Sequence, residues 1–237
     1  MRPNEAKHVQ TILASLPSEA MNPCLNIGSS TAHFRTVEQP HVDLLVFRPL
    51  RERGVRILNI DMKEEEGVDL VGDVLDLAFQ AQLRALHPRL VMCCNLLEHL
   101  VDPGAFADAC ASIVEPEGLL LVTGPYSYPY HLDPIDTLYR PAPDEIRRLF
   151  PDFTCLQEAV VSDSTYLDDL LSQHTLRELI RLLTRHVLSF PYLLLADFER
   201  FKARYHRYFW LFRPYSSTVV LLRRPARICD DHIGKVF

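Results

Sequence analysis

The chain reads as an α/β protein: a mostly parallel seven-stranded sheet with helices on both faces and a C-terminal helical insertion. Three observations predict this. Short apolar runs alternate with amphipathic stretches from residue 24 to 125, the pattern of repeated strand–helix units. Turn and cap residues fall between the runs, as at Glu115-Pro116-Glu117-Gly118 and Asp102-Pro103. A polar, Pro- and Tyr-rich stretch and a helix-forming region then separate the fifth run from the last two. With 237 residues, 48% of them hydrophobic and 24% charged, the chain suits a single globular domain over 1–237.

Cys24-Leu25-Asn26-Ile27 reads as a buried first strand ending at Gly28, and Val55 to Asp61 as the second. Val68 to Val71, Leu90 to Asn95 and Leu119 to Thr123 supply the third, fourth and fifth. Helices are predicted near 41–53, 76–87 and 103–114; Asp102 fits the N-cap of the last, with proline in its first turn. Tyr126 to Pro143 reads as an ordered loop, Asp144 to Phe150 as a helix and Thr154 to Val161 as the sixth strand. Residues 165–213 form the insertion, read as two helices jointed at Ser189-Phe190-Pro191, with Leu170, Leu171, Leu176, Leu179, Ile180 and Leu183 as an apolar stripe. Ser216 to Leu222 is the last strand, and Arg223 to Phe237 a tail.

Charge and cysteine usage narrow the function classes. Net charge is -6, divided into −13 over residues 1–169 and +7 over 170–237. An acidic body of this kind argues against nucleic-acid binding. No apolar run approaches the length of a membrane span, Val187 to Phe198 being broken by Pro191, and Met1 to Pro17 lacks the apolar segment of a secretory signal. Cys24, Cys93, Cys94, Cys110, Cys155 and Cys229 form no CxxC pair, so reduced structural thiols and no metal site are expected. A soluble, cytoplasmic protein is the resulting expectation.

Open parallel sheets bind ligands beyond the carboxyl ends of their strands, where the strand order reverses. The polar residues of this chain collect there: Asn26 and Gly28, Asp61, Asp73, then Asn95, Glu98 and His99. A glycine turn admits a ligand to backbone amides. A carboxylate ending the second strand offers two acceptors to the two hydroxyls of a ribose, and a third-strand acid can receive an adenine amino group. Together they describe a nucleoside-cofactor site.

Four strings, in order, resemble the class I S-adenosylmethionine-dependent methyltransferases, in particular those acting on small molecules and glycans. Cys94-Asn95-Leu96-Leu97-Glu98-His99-Leu100-Val101-Asp102-Pro103 is similar to the family's "vLEHl.dP" motif. Ile113 to Val122 resembles its "hLkPGGhhhh" segment, and Gly72-Asp73-Val74-Leu75-Asp76-Leu77 its adenine-side motif. Pro129 to Pro141 resembles the "HxxPxDxxRxxP" loop after the fifth strand, through His131, Pro134, Asp136, Arg140 and Pro141. The resemblance spans residues 24 to about 151 and implies a Rossmann-like fold with S-adenosyl-L-methionine as cofactor. Cofactor contacts would then fall on Asn26, Gly28, Ser30, Asp61, Asp73, Val74, Asn95 and His99.

The first motif departs from the family's acid-x-G-x-G-x-G. Here it is Asn26-Ile27-Gly28-Ser29-Ser30-Thr31-Ala32, with one glycine of three and an amide for the acid. A left-handed backbone at Ser30 would cost about 1 kcal/mol relative to glycine. The 33 residues from Gly28 to Asp61 leave room for an additional helix at 41–53.

The reaction the resemblance implies is methyl transfer to a small-molecule or sugar acceptor, at oxygen, with His131 as catalytic base and Asp136 and Arg140 binding the acceptor. A structural hydrogen-bond network of His131, Asp136 and Arg140 is the alternative for that loop. A non-catalytic relative serving as an interaction or assembly module is the alternative for the chain. A nicotinamide enzyme is disfavoured, because Gly28 to His33 does not supply G-x-G-x-x-G. Aromatic and cationic residues interleave over 198–210, read as a lid or packing helix covering the acceptor, with a homodimer contact or peripheral membrane contact as lesser readings.

Overall fold

The computed structural model describes residues 1–131 and 135–226. Part of the predicted loop (Leu132, Asp133, Pro134) and most of the predicted tail, with Cys229, lie outside the described residues. Seven strands form one sheet: β1 (Cys24–Ile27), β2 (Ile57–Asp61), β3 (Leu70–Val71), β4 (Leu90–Cys94), β5 (Leu119–Ser127), β6 (Thr154–Thr165) and β7 (Pro214–Arg223). Their order is β3-β2-β1-β4-β5-β7-β6. The first five pair in parallel, and β7 runs antiparallel to both β5 and β6.

The period of two along each strand divides the core between the two faces. Val91, Cys93, Leu120, Val122, Val220 and Leu222 point into one apolar layer, and Leu90, Met92, Leu119, Leu121, Val219 and Leu221 into the other. The first layer is closed by α4 (Leu77–Arg84), α5 (Pro103–Ile113) and α6 (Pro143–Leu149), through Phe79, Leu83, Phe106, Cys110 and Ile146. The second is closed by α1 (Pro3–Ala14) and an irregular helical stretch over 34–52. That stretch alternates π-turns at Phe34–Glu38 and Asp43–Phe47 with α2 (Pro40–Val42) and α3 (Arg48–Glu52), and it accounts for the long β1–β2 connection. Adjacent Cys93 and Cys94 face opposite layers, as a strand requires.

Three features differ from the sequence reading. First, α1 is an additional helix: Ala6, Val9, Ile12 and Leu13 are buried against the sheet. Second, the insertion holds three helices, α7 (Tyr166–Gln173), α8 (Leu176–Ala196) and α9 (Phe198–Tyr205), followed by a 3-10 turn to Trp210. Its breaks lie at Thr175, whose hydroxyl caps α8 and whose own N–H is bound by Glu178, and at Asp197, which caps α9. Pro191 does not end α8. Pro191 has no N–H for the Val187 carbonyl, and the adjacent His186 carbonyl accepts from the Tyr205 hydroxyl at 2.6 Å and the Ser189 hydroxyl at 3.2 Å.

Third, α8 runs through Pro191 and corrects the expectation that no apolar run approaches the length of a membrane span. It is 21 residues long and apolar enough by length and composition to cross a membrane, yet only His186 and Leu193 are buried. Leu176, Ile180, Leu183, Val187, Leu188 and Leu195 are exposed along one side. The rest of the insertion docks firmly: Trp210 donates to Ser127 Oγ at 3.0 Å, Glu199 accepts from the Tyr130 hydroxyl at 2.8 Å, and His206 Nδ1 accepts from the Tyr130 amide at 2.8 Å. These contacts clamp the segment that carries His131.

Candidate functional site

Strand order reverses between β1 and β4, and the loops leaving their carboxyl ends diverge there. The space between them is a cavity of about 1070 Å³, large enough for a nucleoside-sized ligand and more. Asn26, Gly28, Ser30, Asp61, Asp73, Val74, Asn95, His99 and His131 all line it, gathered from the ends of β1, β2, β3, β4 and β5.

The turn after β1 is held by unusual means. Gly28 has φ 72, and a Cβ there would sit 2.9 Å from the Leu96 methyl groups. Ser30 has φ 53, the left-handed conformation expected of a displaced glycine. Arg35, 8% exposed, donates to the carbonyls of Ser29 (2.7 Å), Ser30 (2.6 Å) and Gly67 (2.7 Å), so a buried guanidinium fixes the turn. Burial lowers the pKa of Arg35 despite the nearby acids Asp69 and Asp43. The hydroxyl of Ser30 makes no hydrogen bond among the described residues. Ser30→Gly should therefore leave the melting temperature unchanged or raise it by up to about 3 °C, strain relief being offset by unfolded-chain entropy. A clear fall in a calorimetric scan would show that the serine side chain is needed.

Asn26 is 4% exposed, and its amide orientation follows from a relay. Asp69 accepts from Asn59 Nδ2 at 3.1 Å, so Asn59 Oδ1 receives Asn26 Nδ2 at 3.0 Å, and Asn26 Oδ1 remains as an acceptor. Asp61 accepts from the Ser30 amide at 2.8 Å and the Lys63 amide at 3.2 Å, which leaves about half of its lone-pair sites free. Asp73 forms a local turn with the Leu75 amide at 2.9 Å, while Asp76 caps α4 by accepting from the Phe79 amide at 2.8 Å. Asn95 has φ 52 and donates Nδ2 to Glu5 Oε1 at 2.9 Å.

The far side of the cavity carries Glu98, His99 and His131. Glu98 is 2% exposed, its Oε2 has no hydrogen-bond partner among the described residues, and burial raises its pKa above the usual carboxylate range. His99 Nε2 lies 3.8 Å from Glu98 Oε1, while Nδ1 bonds the Ile135 carbonyl. The His131 ring stands edge-on to His99, centroids 5.3 Å apart, with Nδ1 3.2 Å from Asp136 Oδ2. Burial pulls the His131 pKa down, but the Asp136 hydrogen bond and charge outweigh it and the net shift is upward.

Asp136 and Arg140 are a correction. They do not line the cavity; they stand behind His131. The Asp136 side chain is fully buried and takes the Arg140 guanidinium at 2.7 and 3.0 Å, the His131 amide at 3.0 Å and the Leu138 amide at 2.8 Å. Burial opposes its charge, yet these donors hold its pKa well below the usual range. With both oxygens committed, the pair positions His131 and has no face for an acceptor.

Two site residues were absent from the sequence reading. Arg2 lines the cavity and is clasped by Asp169 at 2.8 and 2.9 Å. Glu5, 1% exposed, joins Asn95, the Ser217 hydroxyl (2.9 Å) and the Arg2 amide (3.1 Å). Their signal was the helical spacing of Val9, Ile12 and Leu13 after Pro3, which identifies α1.

No sequence-family model and no curated protein sequence matches the chain. Solved structures do. A provisionally assigned sarcosine dimethylglycine methyltransferase from Galdieria sulphuraria superposes with TM-score 0.52 and 13% identity, over 94% of this chain and 85% of its own. A SAM dependent methyltransferase from Archaeoglobus fulgidus gives TM-score 0.51 and 15% identity, over 92% and 94%. The [4+2]-cyclase SpnF gives TM-score 0.50 and 11% identity, over 93% and 81%. With the 3-2-1-4-5-7-6 sheet and its reversed seventh strand, this chain has the fold of the class I S-adenosylmethionine-dependent methyltransferases.

Proposed function

We propose that this protein transfers a methyl group from S-adenosylmethionine to a hydroxyl of a small-molecule or sugar acceptor. The observation that carries the reading is convergence: nine residues chosen for a nucleoside cofactor and its acceptor, from five strand ends, line one cavity. S-adenosylmethionine, when bound, supplies an electrophilic methyl on a sulfonium. Asn26 Oδ1 would accept from its ammonium, Asp61 from the ribose hydroxyls and Asp73 from the adenine edge. Proximity and alignment supply most of the rate in such a transfer. His131, with Nδ1 committed to Asp136, offers Nε2 to the acceptor hydroxyl and takes its proton.

A second reading, a non-catalytic relative acting as an interaction or assembly module, is favoured by one observation. The turn amides are already engaged, Gly28 and Ser29 by the Ile60 carbonyl and Ser30 by Asp61. The cyclase among its structural neighbours makes the same point, since one fold hosts more than one chemistry.

Calorimetric titration with S-adenosylmethionine and S-adenosylhomocysteine separates the two. Micromolar binding of both is expected; no binding up to millimolar ligand would leave the interaction module as the better account. Once an acceptor is identified, His131→Ala should lower kcat about a hundredfold and leave cofactor affinity within about twofold. A fully active variant would end its role in the transfer.

A further inference from the structure

We propose that Glu98, His99 and His131 form a binding site for a first-row divalent cation of the zinc or cobalt kind. One ligand atom from each lies within 4.8 Å of the other two. The Glu98 carboxylate is 2% exposed, and its Oε2 has no hydrogen-bond partner among the described residues. A cation supplies that partner.

The two imidazoles are prepared in the manner of metal ligands. A carbonyl only accepts, so the Ile135 carbonyl fixes the proton of His99 on Nδ1 and leaves the Nε2 lone pair free. His131 sets Nδ1 against the Asp136 carboxylate, itself fixed by Arg140. Metal-bound histidines carry this backing by a carbonyl and a carboxylate. Two imidazoles and one carboxylate are a donor set for zinc and its neighbours, and three protein ligands leave positions for a water or substrate oxygen. All three residues line the cavity, so those positions open where the acceptor would lie. This role in activating an acceptor rests on the methyl-transfer reading, with the cation replacing the imidazole as the group that activates the hydroxyl. Binding of the cation does not.

Metal-stripped full-length protein titrated with cobalt(II), followed by its visible d–d absorption, tests the site. Saturable binding is expected, displaced by zinc(II), with Glu98→Gln and His99→Ala each weakening it at least tenfold. His87→Ala, at an exposed His87–Glu115 pair, should leave it unchanged. A flat wild-type titration overturns the proposal and identifies Glu98 as a buried neutral acid. So does binding that both variants retain. Cobalt binding without S-adenosylmethionine binding would sink the methyl-transfer reading alone.

We infer separately that the exposed face of α8 docks on an anionic lipid surface. Leu176, Ile180, Leu183 and Val187 form an apolar stripe, and exposed Leu188 and Leu195 share its flank with exposed Arg177, Arg181 and Arg185. Glu178 is the one acid on this helix. A second copy laid on the stripe would bring like-charged arginine rows together, whereas anionic headgroups neutralise them as the leucines enter the acyl boundary. Flotation with phosphatidylcholine vesicles, with and without phosphatidylserine, tests this. Salt-sensitive flotation with the anionic vesicles is expected, lost in Leu188→Asp and reduced in Arg181→Glu. No flotation, or a lipid-independent dimer abolished by Leu188→Asp, overturns it.

Discussion

Asp61→Ala should weaken S-adenosylmethionine binding at least tenfold. The carboxylate ends β2 on the cavity wall with two of its lone-pair sites already filled by the amides of Ser30 and Lys63. Two remain for vicinal hydroxyls. Hydrogen bonds to a charged acceptor contribute about 1.5–3 kcal/mol each, and tenfold in affinity corresponds to about 1.4 kcal/mol. Losing even one bond in full therefore meets the threshold. The variant also frees the Ser30 amide, so the turn after β1 should loosen and the melting temperature should fall by a few degrees. Asp61→Asn separates these effects, since it keeps one carbonyl acceptor for the turn or the ligand and should lie between wild type and alanine. Titration calorimetry on all three proteins is the measurement. Equal affinities would remove Asp61 from the ribose site, whatever happened to stability.

The strands and their order along the chain were legible because each buried strand is a short apolar run. The sheet's two faces could be read from alternation alone, as at Cys93 and Cys94. Caps were legible where the side chain acts locally: Asp102 accepts from the Ala105 amide at 2.9 Å, as its position before Pro103 implied. Helix α8 was half legible. Its periodicity announces an apolar face, but periodicity carries no information about what covers that face, and no element among the described residues does. The π-turns over 34–52 left no signature, because their hydrogen-bond shift changes no side-chain chemistry.

The candidate site shows the same division. Residues whose place follows from strand ends, such as Asn26, Gly28 and Asp61, line one cavity. Asp136 and Arg140 did not, because a motif records that a carboxylate and a guanidinium are needed without saying whether they meet a ligand or hold the residue that does. Glu98 lay inside a recognised string, yet its burial beside His131 depends on a loop more than thirty residues away. Arg35 is the plainest case of a tertiary substitute: three carbonyl contacts restrain a turn from which two glycines are missing.

Glu5→Ala should destabilise the protein by about 3 kcal/mol, roughly 6–12 °C in melting temperature for a chain of this size. Glu5 comes from α1, but its acceptors serve two distant elements and the start of its own helix. Asn95 Nδ2 follows β4, Ser217 belongs to β7 and the Arg2 amide begins the helix itself. Removing the carboxylate leaves three donors in a region 1% exposed at its centre, and unsatisfied buried donors cost more than the net worth of the bonds they lost. The effect should reach the cavity by two routes. Asn95, held at φ 52 by its contact with Glu5, loses the partner that orients its amide. Arg2, which lines the cavity and grips Asp169 on α7, loses the helix start that sets its position. Cofactor affinity should thus drop with stability, at least fivefold, at a temperature where the variant is fully folded. Glu5→Gln keeps one carbonyl oxygen and should recover most of both. If the alanine variant melts early and still binds with wild-type affinity, α1 is a structural brace alone; if it binds weakly while Asp61 and the turn after β1 are intact, the N-terminal helix is a wall of the site.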